Sequence, residues 1–200
     1  MKEQDLTEQL QQQVQQAVAN KQPLKIVGSG SKDFYGRETD GEVMDVSGHQ
    51  GVINYQPKEL VITVRSGTRL ADLNAVLAEK GQMLAFEPPS YGEDATIGGT
   101  IACGFSGPRR SAAGSARDFV LGTCIINGRA EVLRFGGEVM KNVAGYDISR
   151  LMVGAMGTLG VLMDISMKII PRPFEEITLK RECSNQQAIE RMNELSGIDL

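Results

Sequence analysis

Tryptophan is absent from the 200 residues, histidine occurs once, at His49, and aromatic residues make up only 5%. So few rings leave little on which unpaired nucleic-acid bases could stack. The charge balance is acidic, 21 basic against 25 acidic side chains for a net charge of −4, which speaks against a phosphate-tracking basic face. A single histidine makes a Ser-His-Asp hydrolase unattractive. Cysteines number three, Cys103, Cys124 and Cys183, with no C-x-x-C pair. That spacing builds neither a zinc site nor a self-contained iron–sulfur cluster. With no apolar stretch behind Met1-Lys2-Glu3-Gln4-Asp5, the odd count reads as reduced thiols in the cytoplasm. Apolar runs such as Phe119-Val120-Leu121 fall far below the roughly 18 residues of a membrane span. Glycine is plentiful instead, 23 residues, well above an average usage of about 7%. Fourteen of them lie between Gly92 and Gly160. Such density lets main chain approach something flat or anionic closely.

Periodicity organises the chain. Leu6, Leu10, Val14, Ala17 and Val18 recur at helical steps over residues 3–19, and Pro23 precedes a short strand, Leu24–Val27. A second strand, Leu60–Val64, leads to a helix capped by Thr68 with Leu70, Leu73 and Leu77 on one stripe, ending at Gly81. Two strand-like runs, 120–126 and 130–135, flank Asn127-Gly128, a hairpin signal. Asp147–Val153 reads as helix and Val161–Ile170 as a long strand closed by Pro171-Arg172-Pro173. Beyond it, Ile177–Arg181 is a strand candidate, and Ser184 with Gln187 forms a capping box for a last helix. A lone strand–helix pair cannot hold a core, so the natural protein is expected to continue past Leu200.

Four segments carry candidate chemistry. Gly28-Ser29-Gly30-Ser31-Lys32 follows a strand, where bare N–H groups can converge on phosphate oxygens. The dinucleotide fingerprint fails at Asp33 and the Walker pattern is absent, so a tight surface turn explains the loop equally well. Thr96 can cap a short helix containing Gly98 and Gly99, with N–H groups suited to an anion; close helix packing is the plainer reading. A valine at Gly98 is expected to exclude a ligand there with little loss of folding. Gly107-Pro108-Arg109-Arg110 and Gly114-Ser115-Ala116-Arg117-Asp118 place three arginines in a glycine-rich loop, as an anion site or as solvated charge. Lys141-Asn142, Gly145-Tyr146-Asp147 and Gly157-Thr158-Leu159-Gly160-Val161 put a glycine turn before the long strand.

Taken together, the Gly28–Ser31 loop, Ala95-Thr96-Ile97-Gly98-Gly99, the 114–122 stretch and Gly157-Thr158-Leu159-Gly160-Val161 resemble the PCMH-type FAD-binding domain of the vanillyl-alcohol-oxidase superfamily. Glu87-Pro88-Pro89, Ala102-Cys103-Gly104, Gly107–Arg110 and the run Leu133–Asp147 resemble, more narrowly, the E-subunit family of bacterial glycolate oxidases. The resemblance covers roughly Leu6 to Pro173. It implies an α+β fold of two subdomains, about 1–86 and 87–173, with 174–200 the beginning of an incomplete cap domain.

The resemblance also implies site roles. Gly28, Ser29, Gly30 and Ser31 would hold the FAD pyrophosphate. Thr96, Ile97, Gly98 and Gly99 would contact diphosphate and flavin edge, Ser115, Arg117 and Asp118 would line the flavin, and Gly160 and Val161 would meet the adenine end. Many relatives tether FAD to a histidine near the first loop; Ile26-Val27 stands there and His49 lies some way on, so non-covalent FAD is expected. The related D subunit carries a Glu before the Gly-Thr-Leu-Gly turn, where this chain has Ala155-Met156. The implied activity is oxidation of glycolate or D-lactate to the 2-oxo acid. The implied partners are a second flavin subunit and an iron–sulfur subunit passing electrons toward quinone, at the inner membrane through those partners. An FAD-holding or electron-relay subunit that never meets the 2-hydroxy acid is the alternative, and a flavin reductase of cell-wall precursors a third. Catalytic residues are not assigned; Tyr35, Tyr91 and Tyr146 are candidates by chemistry alone.

Overall fold

A computed structural model describes residues 2–138 and 145–196. Part of the Leu133–Asp147 run, Val139 to Ala144 with Lys141-Asn142, lies outside the described residues. The helices are α1 (Thr7–Asn20), α2 (Leu70–Ala78), α3 (Ile97–Cys103), α4 (Arg110–Ala113), α5 (Ala116–Phe119), α6 (Ile148–Leu151) and α7 (Asn185–Ser196). The strands are β1 (Leu24–Val27), β2 (Glu42–Asp45), β3 (Val52–Gln56), β4 (Val61–Arg65), β5 (Gln82–Met83), β6 (Val120–Ile126), β7 (Val132–Gly136), β8 (Val161–Lys168) and β9 (Ile170–Pro171).

β3, β4, β8, β6 and β7, in that order, form a sheet in which every neighbouring pair is antiparallel. The β6–β7 hairpin turns where expected. Asn127 accepts from the amides of Arg129 and Glu131 through Oδ1 at 2.8 and 3.0 Å and so caps its own loop. β1 and β2 make a separate parallel pair, and β5 pairs with β9. Because β4 pairs with β8, one sheet runs across residue 86, the boundary expected between the two subdomains.

Two apolar clusters hold these layers. One gathers α2 and α3, through Leu70, Leu73, Leu77, Ile97 and Ile101, with Ile62, Val64, Ile165 and Met167 of the sheet. The other packs Leu10 and Val14 of α1, Met44 of β2 and Val46 just after it against Cys124, Ile126, Val161 and Met163. Burying a Leu- or Ile-sized side chain contributes about 1.5–3 kcal/mol, so the sequence stripes are what fix each helix to its face. Val18 departs from its expected stripe and is half exposed.

Two further expectations are corrected. Thr68 does not cap α2: the N-cap is Arg69, and the Thr68 hydroxyl instead accepts from the Gly51 amide at 3.0 Å. Ile177–Arg181 forms no strand. Among the described residues no strand pairs with it, and Ile177 and Leu179 stay exposed; the β-propensity of a segment without a pairing partner does not make a ladder. The last helix does carry its capping box, with the Ser184 amide donating to Gln187 Oε1 at 3.1 Å and the Gln187 amide to Ser184 Oγ at 3.3 Å.

Candidate functional site

The turn leaving β4 sets the position of α3. The Gly98 amide donates to the Ser66 carbonyl at 2.7 Å and the Ile97 amide to the Thr68 carbonyl at 2.9 Å. Thr96 caps the helix as expected, its Oγ1 accepting from the Gly99 amide at 3.2 Å. The first glycine loop lies on this same turn: a Cβ on Gly28 would stand 2.7 Å from Thr96 Oγ1. The structure therefore brings Gly28 and the loop through Ser31 together with Thr96 and Gly99.

Those residues do not all face outward. Ile97 is a core residue, and Gly98 is buried with its Cα against Ser66, where a Cβ would meet Ser66 Cβ at 2.6 Å and its carbonyl oxygen at 2.7 Å. The close approach at Gly98 is thus to the protein itself, which corrects the expectation that valine there spares the fold. Gly99 is partly exposed, and a Cβ on it would lie 3.7 Å from Lys32 Nζ.

Lys32 is the residue that sequence reasoning passed over. It is 8% exposed, and its ammonium donates to Ser31 Oγ at 3.3 Å. Burial pulls its pKa below the ordinary lysine value. The Cys103 thiol, at the far end of α3, is raised by its own burial and drawn back down by Lys32. Only the position of Lys32, directly behind a Gly-Ser-Gly-Ser loop, hinted at this. A buried cation beside a glycine loop is a donor set that fits an anionic group.

The other end of α3 meets the turn at residues 153–156, just ahead of the expected glycine turn at 157–161. The Gly154 amide donates to the Ile101 carbonyl at 3.0 Å and the Met156 amide to the Ala102 carbonyl at 2.8 Å. Arg117 reaches the same turn, its guanidinium donating to the Val153 carbonyl at 3.0 Å. Ser115 and Asp118 bond one another: the Ser115 amide and hydroxyl both donate to Asp118 Oδ2, at 2.8 and 2.9 Å. Those bonds lower the Asp118 pKa. Arg109 lies 3.8 Å from Glu87, which ties the Gly107–Arg110 motif to Glu87-Pro88-Pro89. Gly160 packs on the Ile126 carbonyl, and Val161 is buried in the α1 cluster, against which Ile26 of β1 also packs.

A second feature without a sequence signal borders the loop. Tyr35 packs against Phe105 at 4.8 Å and Tyr91 against Phe105 at 5.4 Å, both with tilted rings, and Phe34 meets Tyr91 edge-on at 5.0 Å. Tyr146 stands alone and exposed. His49 is taken out of consideration by its surroundings. It is fully buried, its Nδ1 accepts from the Leu6 amide at 3.0 Å, and its Nε2 therefore donates to Asp164 Oδ1 at 3.3 Å. Arg134 closes that network on Asp164 at 3.1 Å.

In this α+β domain a glycine loop, a glycine-bearing helix turn and a buried ammonium converge, a donor set that suits a phosphate-bearing cofactor. Comparison with known proteins specifies which: the profile of the family described as FAD binding domain matches residues 5–136, and the chain belongs to that family. FAD is the cofactor of the family. The chain is 57% identical, over 97% of its length and 55% of the relative's, to the glycolate oxidase subunit GlcE of Escherichia coli. It is 34% identical to a D-lactate dehydrogenase of Anaerostipes hadrus, over 70% of this chain and 29% of that one. It is 32% identical to the glycolate oxidase subunit GlcD of Bacillus subtilis, over 78% and 34%. The chain thus spans about half the length of its GlcE relative and about a third or less of the other two. Among solved structures, an alkyldihydroxyacetonephosphate synthase superposes with a TM-score of 0.67 at 21% identity, over 84% of this chain and 31% of that one, which bears on the fold alone. Among the described residues no helix is long and apolar enough to cross a membrane.

Proposed function

We propose that this chain is the FAD-holding part of a subunit of a glycolate oxidase complex that oxidises glycolate or D-lactate to the 2-oxo acid. The observation that carries the reading is the 57% identity to GlcE along nearly the whole chain. In this reading residues 1–173 hold the cofactor and 174–200 begin a cap. Phe174, Ile177 and Leu179 lying exposed accord with a change of unit there. FAD, when bound, would supply the acceptor for a hydride, one proton with two electrons, leaving the substrate α-carbon. The chain's own contribution is to bind and orient: Gly28 to Ser31 with Thr96 and Gly99 on the diphosphate, Ser115, Arg117 and Asp118 along the flavin and Gly160 toward adenine, while Ile97, Gly98 and Val161, buried in the fold, position those residues from behind. A second flavin subunit and an iron–sulfur subunit take the electrons on, and the complex works on the cytoplasmic side, reaching the inner membrane through those partners.

FAD is held without a covalent bond in this reading. The chain's only histidine is His49, and both its ring nitrogens are engaged inside the fold. The test is a flavin spectrum before and after acid precipitation. Flavin released to the supernatant is the expected result, and colour retained in the pellet overturns it. A second reading, an FAD-holding relay subunit that never meets the 2-hydroxy acid, is favoured by Ala155-Met156 standing where the D-subunit resemblance implies a Glu.

A further inference from the structure

Lys32 is an expensive residue to bury. An ammonium has three N–H donors, and here a single hydroxyl, Ser31 Oγ at 3.3 Å, accepts from it. Among the described residues no carboxylate lies within ion-pair distance of it. Asp33, next in sequence, turns its carboxylate toward Gly30 instead, 3.6 Å from where a Cβ would stand. Buried charges are ordinarily paired, because desolvation of an isolated one costs several kcal/mol. A lysine that only supported the fold would have an acceptor set of its own; this one faces Gly99 and the glycine loop with donors unspent.

We propose that Lys32 is the counter-charge for the FAD diphosphate, held unpaired within the fold so that phosphate oxygens complete its hydrogen bonds. The inference rests on the FAD reading above and deepens it. The isoalloxazine and adenine rings of FAD are uncharged at neutral pH, so the diphosphate is the part of the cofactor that a buried cation recognises. The surrounding geometry agrees. Gly99 brings backbone without a side chain beside Nζ, and Ser31 fixes the ammonium from the loop side. The depressed lysine pKa is the cost of waiting without that anion. Binding therefore restores to Lys32 the stabilisation of its charged form that burial removes.

A role in cofactor recognition and a role in the fold make opposite demands on stability. Replacing a buried, unpaired ammonium by an apolar side chain of similar length is neutral or stabilising for a fold, whereas it removes a charge-assisted bond from the complex. The experiment is titration of FAD, followed by flavin fluorescence, into the wild-type chain, Lys32→Met and Lys32→Arg, with thermal melts of each protein without flavin. Inorganic pyrophosphate serves as a second probe in the melts. The expected results are an FAD dissociation constant raised about tenfold to hundredfold in Lys32→Met and largely recovered in Lys32→Arg. The flavin-free Lys32→Met should melt at or above wild type, and pyrophosphate should raise the melting temperature of wild type and of Lys32→Arg but not of Lys32→Met. Equal FAD affinity in Lys32→Met overturns the proposal and leaves the FAD reading intact, as does a lowered melting temperature with unchanged affinity. Failure of the wild-type chain to bind FAD at all overturns the reading beneath it.

Discussion

Gly98 and Gly99 are adjacent in sequence and chemically identical, yet their surroundings demand different outcomes from the same substitution. Gly98 is buried, and an added Cβ would collide with Ser66, half of it backbone that cannot move aside. Overpacking of this kind costs about 1–3 kcal/mol, so Gly98→Ala should lower the melting temperature by several degrees, and Gly98→Val should do worse. A Cβ at Gly99 meets Thr96 Oγ1 at 3.2 Å and Lys32 Nζ at 3.7 Å, contacts that small shifts can relieve. Gly99→Ala is therefore expected to melt close to wild type while weakening FAD measurably, because the added methyl would stand beside Lys32 Nζ, which the proposal assigns to the diphosphate. Calorimetry and flavin titration on the two variants separate the cases. A Gly99 variant that unfolds, or a Gly98 variant as stable as wild type, contradicts the placement of α3.

At the scale of elements, the start of α1 depends on side chains from outside the helix. Its N-cap, Leu6, offers no capping side chain. Asp5 substitutes, its Oδ1 accepting from the Thr7 amide at 2.9 Å and hydroxyl at 2.7 Å, while Arg65 reaches Oδ2 at 3.2 Å. These bonds, those from Thr7 first, hold the Asp5 pKa at about 2, below its ordinary 3.8. A carboxylate with a depressed folded pKa contributes stability that is complete above its unfolded value and is lost as pH falls through the folded one. Asp5→Asn should therefore melt below wild type by a constant margin above about pH 4–5, and the margin should close between about pH 4 and pH 2. A margin independent of pH down to 2 would falsify the assignment. This anchor also shows what the sequence could reveal. The α1 stripe, the 120–135 hairpin, the caps at Thr96 and Ser184 and the long β8 strand are local patterns, and local patterns are readable. β2, β3 and β5 were not, because Glu42–Asp45 and Val52–Gln56 carry no strong alternation, and β5 is two residues fixed by β9. Thr68 was legible as a capping type of residue, but its partner, Gly51, is supplied by tertiary structure. The same holds for the site. Glycine density pointed to the Gly28 loop and α3, while the burial of Lys32 and the internal engagement of His49, Ser115 and Asp118 depend on neighbours distant in sequence.

For the molecule as a whole, the open question is whether holding FAD suffices for turnover. Oxidising a 2-hydroxy acid requires a base for the hydroxyl proton and a substrate fixed against the flavin. Placement of that quality is worth several orders of magnitude in rate. The described residues offer the first requirement poorly. His49 is buried and bonded to Leu6 and Asp164. Tyr35 and Tyr91 are packed with Phe105 in an aromatic cluster rather than set beside an acceptor. Nor does the segment after β9 supply a wall for a substrate, since Phe174, Ile177, Leu179, Ile189 and Met192 all stand exposed. The expected outcome is that this chain, loaded with FAD, is reduced by dithionite yet leaves a redox dye unreduced when given glycolate or D-lactate. On the proposed function, dye reduction should appear only with a subunit as long as the GlcE relative and with the proposed flavin and iron–sulfur partners added. Reduction of the bound flavin by either hydroxy acid in the isolated chain, followed at the flavin absorption band, would show instead that the glycine loop, α3 and the aromatic cluster already form a complete active site. In that case Tyr35→Phe and Tyr91→Phe become the next variants to measure, because those two are the phenols that border the Lys32 loop.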